Sequence, residues 1–174
     1  MSQNSRAAKF EETIMPHLDA AYNLASWMTR DGADAEDVVQ EAALRAFKYF
    51  DGFRGGDGRS WLLKIVRNTC YSWLEKNRGH VPIDEFDEEK HSAEHRDPEA
   101  RLIERIDSGL LKQLLEQLPV EFREIVILRD LENLSYKEIA SVADLPLGTV
   151  MSRLARARQR LHTGLAADLK GGSK

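Results

Sequence analysis

Apolar residues return every three or four positions along residues 10 to 78 and again along residues 108 to 166, the period of helices with one buried face. The first block breaks at "RDGADAED" and "DGFRGGDGRS", where Gly and Asp supply turns. The second breaks at Pro119, at "ENLS" and at "DLPLG". No stretch alternates as a strand would and no internal repeat recurs, so the pattern predicts an all-α chain. Between the blocks the period is lost. Two small helical domains, residues 10 to 78 and 108 to 166, are predicted on either side of a linker at 79 to 107.

Three segments carry more than a packing stripe. In "DAEDVVQEAALRAFKYF", Asp34 suits the N-cap position of a helix. Val39, Ala42, Ala43, Ala46, Phe47 and Phe50 are its expected core. Asp37, Gln40 and Glu41 share another side within one turn. Carboxylates there favour the helix macrodipole, and an acidic patch equally suits docking to a basic protein surface.

In "RSWLLKIVRNTCYSWLEKNR", Leu62, Val66, Thr69, Cys70 and Trp73 fall on one side and Lys64, Arg67, Asn68, Tyr71, Glu75 and Arg78 on the other. Basic, amide and aromatic groups side by side suit phosphates and unstacked bases. The Gly-rich stretch before it, which holds Phe53, Arg59 and Ser60, can form a pocket with backbone open to a ligand.

The third segment is "SYKEIASVADLPLGTVMSRLARARQRL". Ser135 followed by Glu138 is the capping-box pattern, and Ile139, Val142 and Ala143 give a buried face. Pro146 suits the first turn of the next helix. There Val150, Leu154, Ala157 and Leu161 form one stripe, while Thr149, Ser152, Arg153, Arg156 and Arg160 project elsewhere with Arg158 at the flank. A capped helix, a tight turn and a helix with a basic face predict a DNA-binding helix-turn-helix. Arg153 and Arg156 are the candidate base readers. Arg158 and Arg160 are cast as phosphate contacts or solvated residues.

Charge sharpens this division. The chain of 174 residues has a formal net charge of −4, yet residues 145 to 161 hold four arginines and no acid. The acids gather elsewhere: residues 79 to 100 carry eight against two bases, too polar a stretch to fold alone. His80, His91 and His95 lie in or beside it, and solvated histidines suit it better than a zinc site, since no HExxH or cysteine partner accompanies them. Cys70 is the only cysteine, which excludes an internal disulfide. The N-terminus has no signal-peptide core and no apolar run approaches the ~20 residues of a membrane span, so a cytoplasmic protein is expected.

Together, "DAEDVVQEAALRAFKYFDGF", "WLLKIVRNTCYSWLEKNR" and "LSYKEIASVADLPLGTVMSRLARARQRL" resemble an extracytoplasmic-function (ECF) sigma factor of bacterial RNA polymerase. The resemblance covers about residues 10 to 165, in family order. It implies a σ2-like domain, an acidic linker threading the RNA exit channel, and a σ4-like domain. It implies that Asp37, Gln40 and Glu41 bind core polymerase at β′. It further implies that Phe53, Arg59, Ser60, Lys64, Arg67, Asn68 and Tyr71 melt and read the −10 element. Thr149, Ser152, Arg153, Arg156 and Arg160 would read the −35 element. Core polymerase (β′ and β), promoter DNA and an anti-sigma factor are the implied partners, with no cofactor.

Two positions depart from the family pattern: Met151 stands where members often carry Lys, and Asp144 where they often carry Gly. A sigma mimic that sequesters an anti-sigma factor would be expected to lose the basic faces, and both persist here. A plain helix-turn-helix repressor leaves the first 78 residues unexplained. Motifs of an enzyme, such as a P-loop, GxSxG or HExxH, are missing from the sequence.

Overall fold

The computed structural model describes residues 2–81 and 108–171, all of whose regular structure is helical. Residues 82–107, which make up most of the acidic linker and include His91 and His95, lie outside the described residues. The described residues divide into two compact units. One holds the residues up to Val81 and also Ser141–Asp144, and the other holds the remaining C-terminal residues.

The first unit is built from α1 (Gln3–Thr13), α2 (Leu18–Thr29), α3 (Gly32–Lys48) and α4 (Gly58–Arg78). Helices α2, α3 and α4 pack against one another around Leu24, Met28, Val38, Leu62, Leu63 and Val66, all buried. On α3 the fully buried stripe is Ala35, Val38, Ala42 and Ala46. Val38 thus takes the central place expected of Val39; Val39 and Ala43 are only half-buried and Phe47 is exposed. Three alanines in that stripe let both neighbouring helices approach closely.

The α2–α3 corner is set by three consecutive residues. Thr29 is buried, and its hydroxyl donates to the Ala25 carbonyl at 2.9 Å. Arg30 is left-handed at φ 61°, which turns the chain. Asp31 then caps α3, accepting from the Asp34 N–H at 3.0 Å. Asp34 is therefore not the N-cap. It lies inside the first turn, where its carboxylate accepts from Arg78 at 3.3 Å while Arg78 also donates to the Thr29 carbonyl.

The second unit contains α5 (Ser108–Gln117), α6 (Val120–Val126), a π-helical turn (Ile127–Leu131), the part of α7 (Tyr136–Ala143) up to Ala140, and α8 (Leu147–Gly171). Pro119 separates α5 from α6, as the sequence pattern predicts. Arg123, almost fully buried, holds the junction by donating to the carbonyls of Leu118 at 2.8 Å and Glu116 at 3.3 Å. It satisfies the open end of α5 from a neighbouring helix. In the π turn the Glu132 N–H reaches back five residues to the Ile127 carbonyl at 3.0 Å. Asn133, left-handed at φ 58°, ends it.

The capping box on α7 forms in both directions. Glu138 N–H donates to Ser135 Oγ at 3.1 Å, and Ser135 N–H to Glu138 Oε1 at 2.9 Å. Ser135→Ala should cost about 1 kcal/mol of stability, read as a lower urea midpoint with unchanged slope. No loss would mean that Glu138 holds the helix start alone.

Candidate polymerase and nucleic-acid interfaces

The acidic surface lies on α3. Asp37, Gln40 and Glu41 are all exposed. Arg45 ties Glu41 down at 2.7 Å (i, i+4), and its other guanidinium nitrogen donates to Thr69 of α4 at 3.3 Å. Glu41 is thereby oriented through Arg45 from the core. Leu44, 73% exposed, follows on the same side, four residues after Gln40. That spacing could have marked it in the sequence.

The second surface combines the loop after α3 with α4. The chain leaves α3 through a short 3₁₀ turn, Phe50–Gly52. Phe53 stacks on Phe50 at 5.8 Å and meets Trp61 at 5.3 Å, so this half-buried ring belongs to an aromatic cluster as it stands. Gly55 and Gly56 are left-handed at φ 84° and 88°, a conformation that glycine adopts without strain. Asp57 caps α4, accepting from the Arg59 N–H at 3.0 Å and from the Ser60 hydroxyl. Gly58 is buried where a Cβ would stand 2.7 Å from the Thr13 carbonyl oxygen.

Along α4, Lys64, Arg67 and Tyr71 are half-buried and Asn68 is exposed. The Arg67 guanidinium lies 4.5 Å from the Tyr71 ring centre and donates to Asn68 Oδ1 at 3.3 Å. The structure thus brings Arg67, Asn68 and Tyr71 into one basic, amide and aromatic group. Opposite them, Leu62, Leu63, Val66, Thr69, Cys70 and Leu74 are buried, while Trp73 is only half-buried and carries Arg78 at 5.0 Å.

The third surface is the α7–turn–α8 motif. Asp144 is left-handed at φ 54°, so it takes the turn conformation that glycine would take. Val150, Leu154, Ala157 and Leu161 are buried as the stripe predicts. Thr149 and Ser152 are half-buried, with Ser152 Oγ donating to the Thr149 carbonyl at 3.2 Å.

The arginines divide differently from the sequence expectation. Arg160 is exposed and Arg156 half-buried, and their guanidinium groups lie 4.8 Å and 5.4 Å from the ring centre of the buried Phe122. Arg158 is neither a solvated residue nor positioned as a phosphate contact. It is 2% exposed and pairs with Asp130 at 2.9 Å. Arg153 is buried too, at 4%. At about 100° per residue it lies only about 60° around the helix from Val150, so its stem shares the edge of the packed stripe.

Among the described residues, no group of three or more His, Cys, Asp or Glu could hold a metal ion, and no helix is long and apolar enough to cross a membrane.

Comparison with known proteins matches both units. Residues 13–80 match the family model "Sigma-70 region 2" and residues 108–161 match "Sigma-70, region 4". The chain is 35% identical over 160 residues to the ECF RNA polymerase sigma factor SigE of Mycolicibacterium smegmatis, covering 90% of this chain and 62% of that one. It is 32% identical to the RNA polymerase sigma-H factor of Pseudomonas aeruginosa (92% and 88% covered). To the ECF RNA polymerase sigma-E factor of Escherichia coli it is 33% identical (80% and 79%).

Among solved structures it resembles the sigma factor RpoE of Bartonella quintana, crystallised with the anti-sigma factor NepR, at TM-score 0.68 and 27% identity, covering 92% and 98% of the two chains. CnrH, solved with the cytosolic domain of CnrY, shares the fold at TM-score 0.66 and 23% identity, covering 96% and 91%. With both sigma regions matched in order on the two helical units, the chain belongs to the ECF class of sigma-70 factors, non-enzymatic initiation factors that direct RNA polymerase to specific promoters.

Proposed function

We propose that the three surfaces divide the work of initiation among them. Asp37, Gln40 and Glu41 dock on the β′ subunit of core polymerase. The 51–60 loop, with Phe53, Arg59 and Ser60, and the α4 face of Lys64, Arg67, Asn68 and Tyr71 open and read the −10 element. A flipped base costs a few kcal/mol of unstacking, offset by contacts the duplex could not make. Helix α8 enters the major groove at the −35 element through Thr149, Ser152, Arg156 and Arg160, while Arg153, buried at the edge of the packed stripe, is set aside as a base reader.

The observation that carries this reading is the helix-turn-helix: a capped α7, a left-handed Asp144, and an α8 whose Arg160 is exposed outside the packed stripe. We place the protein in the cytoplasm with core polymerase. An anti-sigma factor holding it inactive is the partner suggested by the RpoE–NepR complex. The acidic linker suits a basic channel built for RNA.

Adding the chain to core polymerase should give salt-sensitive initiation at a cognate promoter, with the promoter mapped from transcript 5′ ends. Absence of stable association with core would end the reading. Arg156→Ala should weaken −35 binding by about 1–3 kcal/mol and relax selectivity at one base pair, as expected for a bidentate guanine contact. A uniform loss across all sequences would instead make Arg156 a phosphate contact.

A further inference from the structure

We propose that α1 is a strut fixing both feet of the −10-reading loop, with Arg6 as its positioning residue. This rests on the proposed role of that loop. Almost all of α1 precedes the matched sigma region, which begins at residue 13.

At the loop's tip, beyond the packed Phe53, two glycines give the backbone wide conformational freedom. Gly55 and Gly56 are both left-handed, and a Cβ at either would meet nothing within 4 Å. Such a tip reads bases reproducibly only if its ends are held.

At the first foot, Arg6 Nε donates to Asp51 Oδ1 at 3.0 Å. The same guanidinium donates to the carbonyls of Phe47 and Lys48, in the last turn of α3, and lies 4.6 Å from the Phe47 ring centre. At the second foot, Gly58 is so close to Thr13, the last residue of α1, that a Cβ would stand 2.7 Å from its carbonyl oxygen. About 10 Å of helix separates Arg6 from Thr13, two turns of a rigid rod. Between them Phe10 sits edge-on to Phe47 at 5.2 Å and to Phe50 at 5.3 Å.

Asp51 is 83% exposed, and an ion pair to such a carboxylate contributes little. Its effect is geometric: one planar fork joins the end of α3 to the first residues of the loop.

The test uses the full chain bound to core polymerase. Its probe is a single-stranded non-template oligonucleotide carrying a −10 element mapped from transcript 5′ ends. Binding is compared with oligonucleotides substituted at each −10 base. Arg6→Ala should reduce discrimination between cognate and substituted oligonucleotides by roughly fivefold to tenfold, with core affinity unchanged. Arg6→Lys keeps the charge without the fork and should recover only part of it.

Thr29→Val serves as a stability control, because it removes the buried hydrogen bond to the Ala25 carbonyl in the same unit without touching the loop. It should lower the melting temperature and keep discrimination. The strut is overturned if Arg6→Ala discriminates as the parent does, or if Thr29→Val loses as much. Phe53→Ala separates the strut from the loop's own role. Lost discrimination there, with Arg6→Ala intact, overturns the strut alone; intact discrimination in both overturns the loop's role as well.

Discussion

Arg158→Ala is expected to destabilise the C-terminal unit by about 3–5 kcal/mol, the cost of leaving one member of a buried ion pair without the other. Both side chains are almost completely removed from water, at 2% and 7% exposure, so solvent does not screen the 2.9 Å contact. The partner, Asp130, lies within the π turn that continues directly from α6. A folded unit of this size has only about 0.05–0.15 kcal/mol per residue in reserve. The substitution should therefore shift the urea transition far down or leave the unit unfolded at room temperature, with −35 binding lost alongside. The double variant Asp130→Leu with Arg158→Met removes both charges and fills the space, and should recover most of the loss. If the double variant is as unstable as Arg158→Ala, packing of the long arginine stem dominates and the pairing matters little. A loss below about 1 kcal/mol in the single variant would show that water reaches the pair after all.

That pair also shows where sequence reasoning stops. The capping box joins residues three apart, and both hydrogen bonds were legible from Ser135 and Glu138 alone. Asp144 was legible for a similar reason, because its tolerance of positive φ is a property of one residue. The α4 division into a packed and a polar side followed from period, though Leu74 rather than Trp73 lies fully in the core.

Arg158 and Asp130 are 28 positions apart, Arg6 and Asp51 are 45 apart, and no local period links either pair. An arginine at the flank of a helical stripe looks the same in sequence whether it meets water, phosphate or a buried carboxylate. The π turn is invisible for a related reason: no local period or propensity of "ILRDL" marks it, although Ile127 and Leu128 within it are both buried. At the α2–α3 corner, Asp31 and Asp34 are both plausible caps by type. The left-handed Arg30 places Asp31 in extended backbone, so it caps α3, while Asp34 pairs with Arg78 from another helix.

Reversing two charges on α3, in the double variant Asp37→Lys with Glu41→Lys, should abolish promoter-directed transcription by removing core binding. Both carboxylates are exposed, so the fold does not depend on burying them. The local cost is small: the Glu41–Arg45 pair is an exposed i, i+4 contact, worth about 0.2–0.5 kcal/mol, and a lysine there repels Arg45 by a similar amount. The cost at an interface is larger, because carboxylates docked on a basic surface become like charges held together as water is excluded. Losses of about 2–5 kcal/mol are typical when a close interfacial pair is disrupted, which is roughly 30-fold to several thousandfold in affinity.

The comparison that decides the matter is internal to the molecule. Core affinity should collapse, while the melting curve moves little and −35 duplex binding by the full chain remains within twofold of the parent. Equal loss of core and DNA binding would mean that the acidic face does not act separately from the arginines of α8. Unchanged core binding would return Asp37 and Glu41 to the plainer role that their position in α3 also allows, favourable charge near the start of a helix.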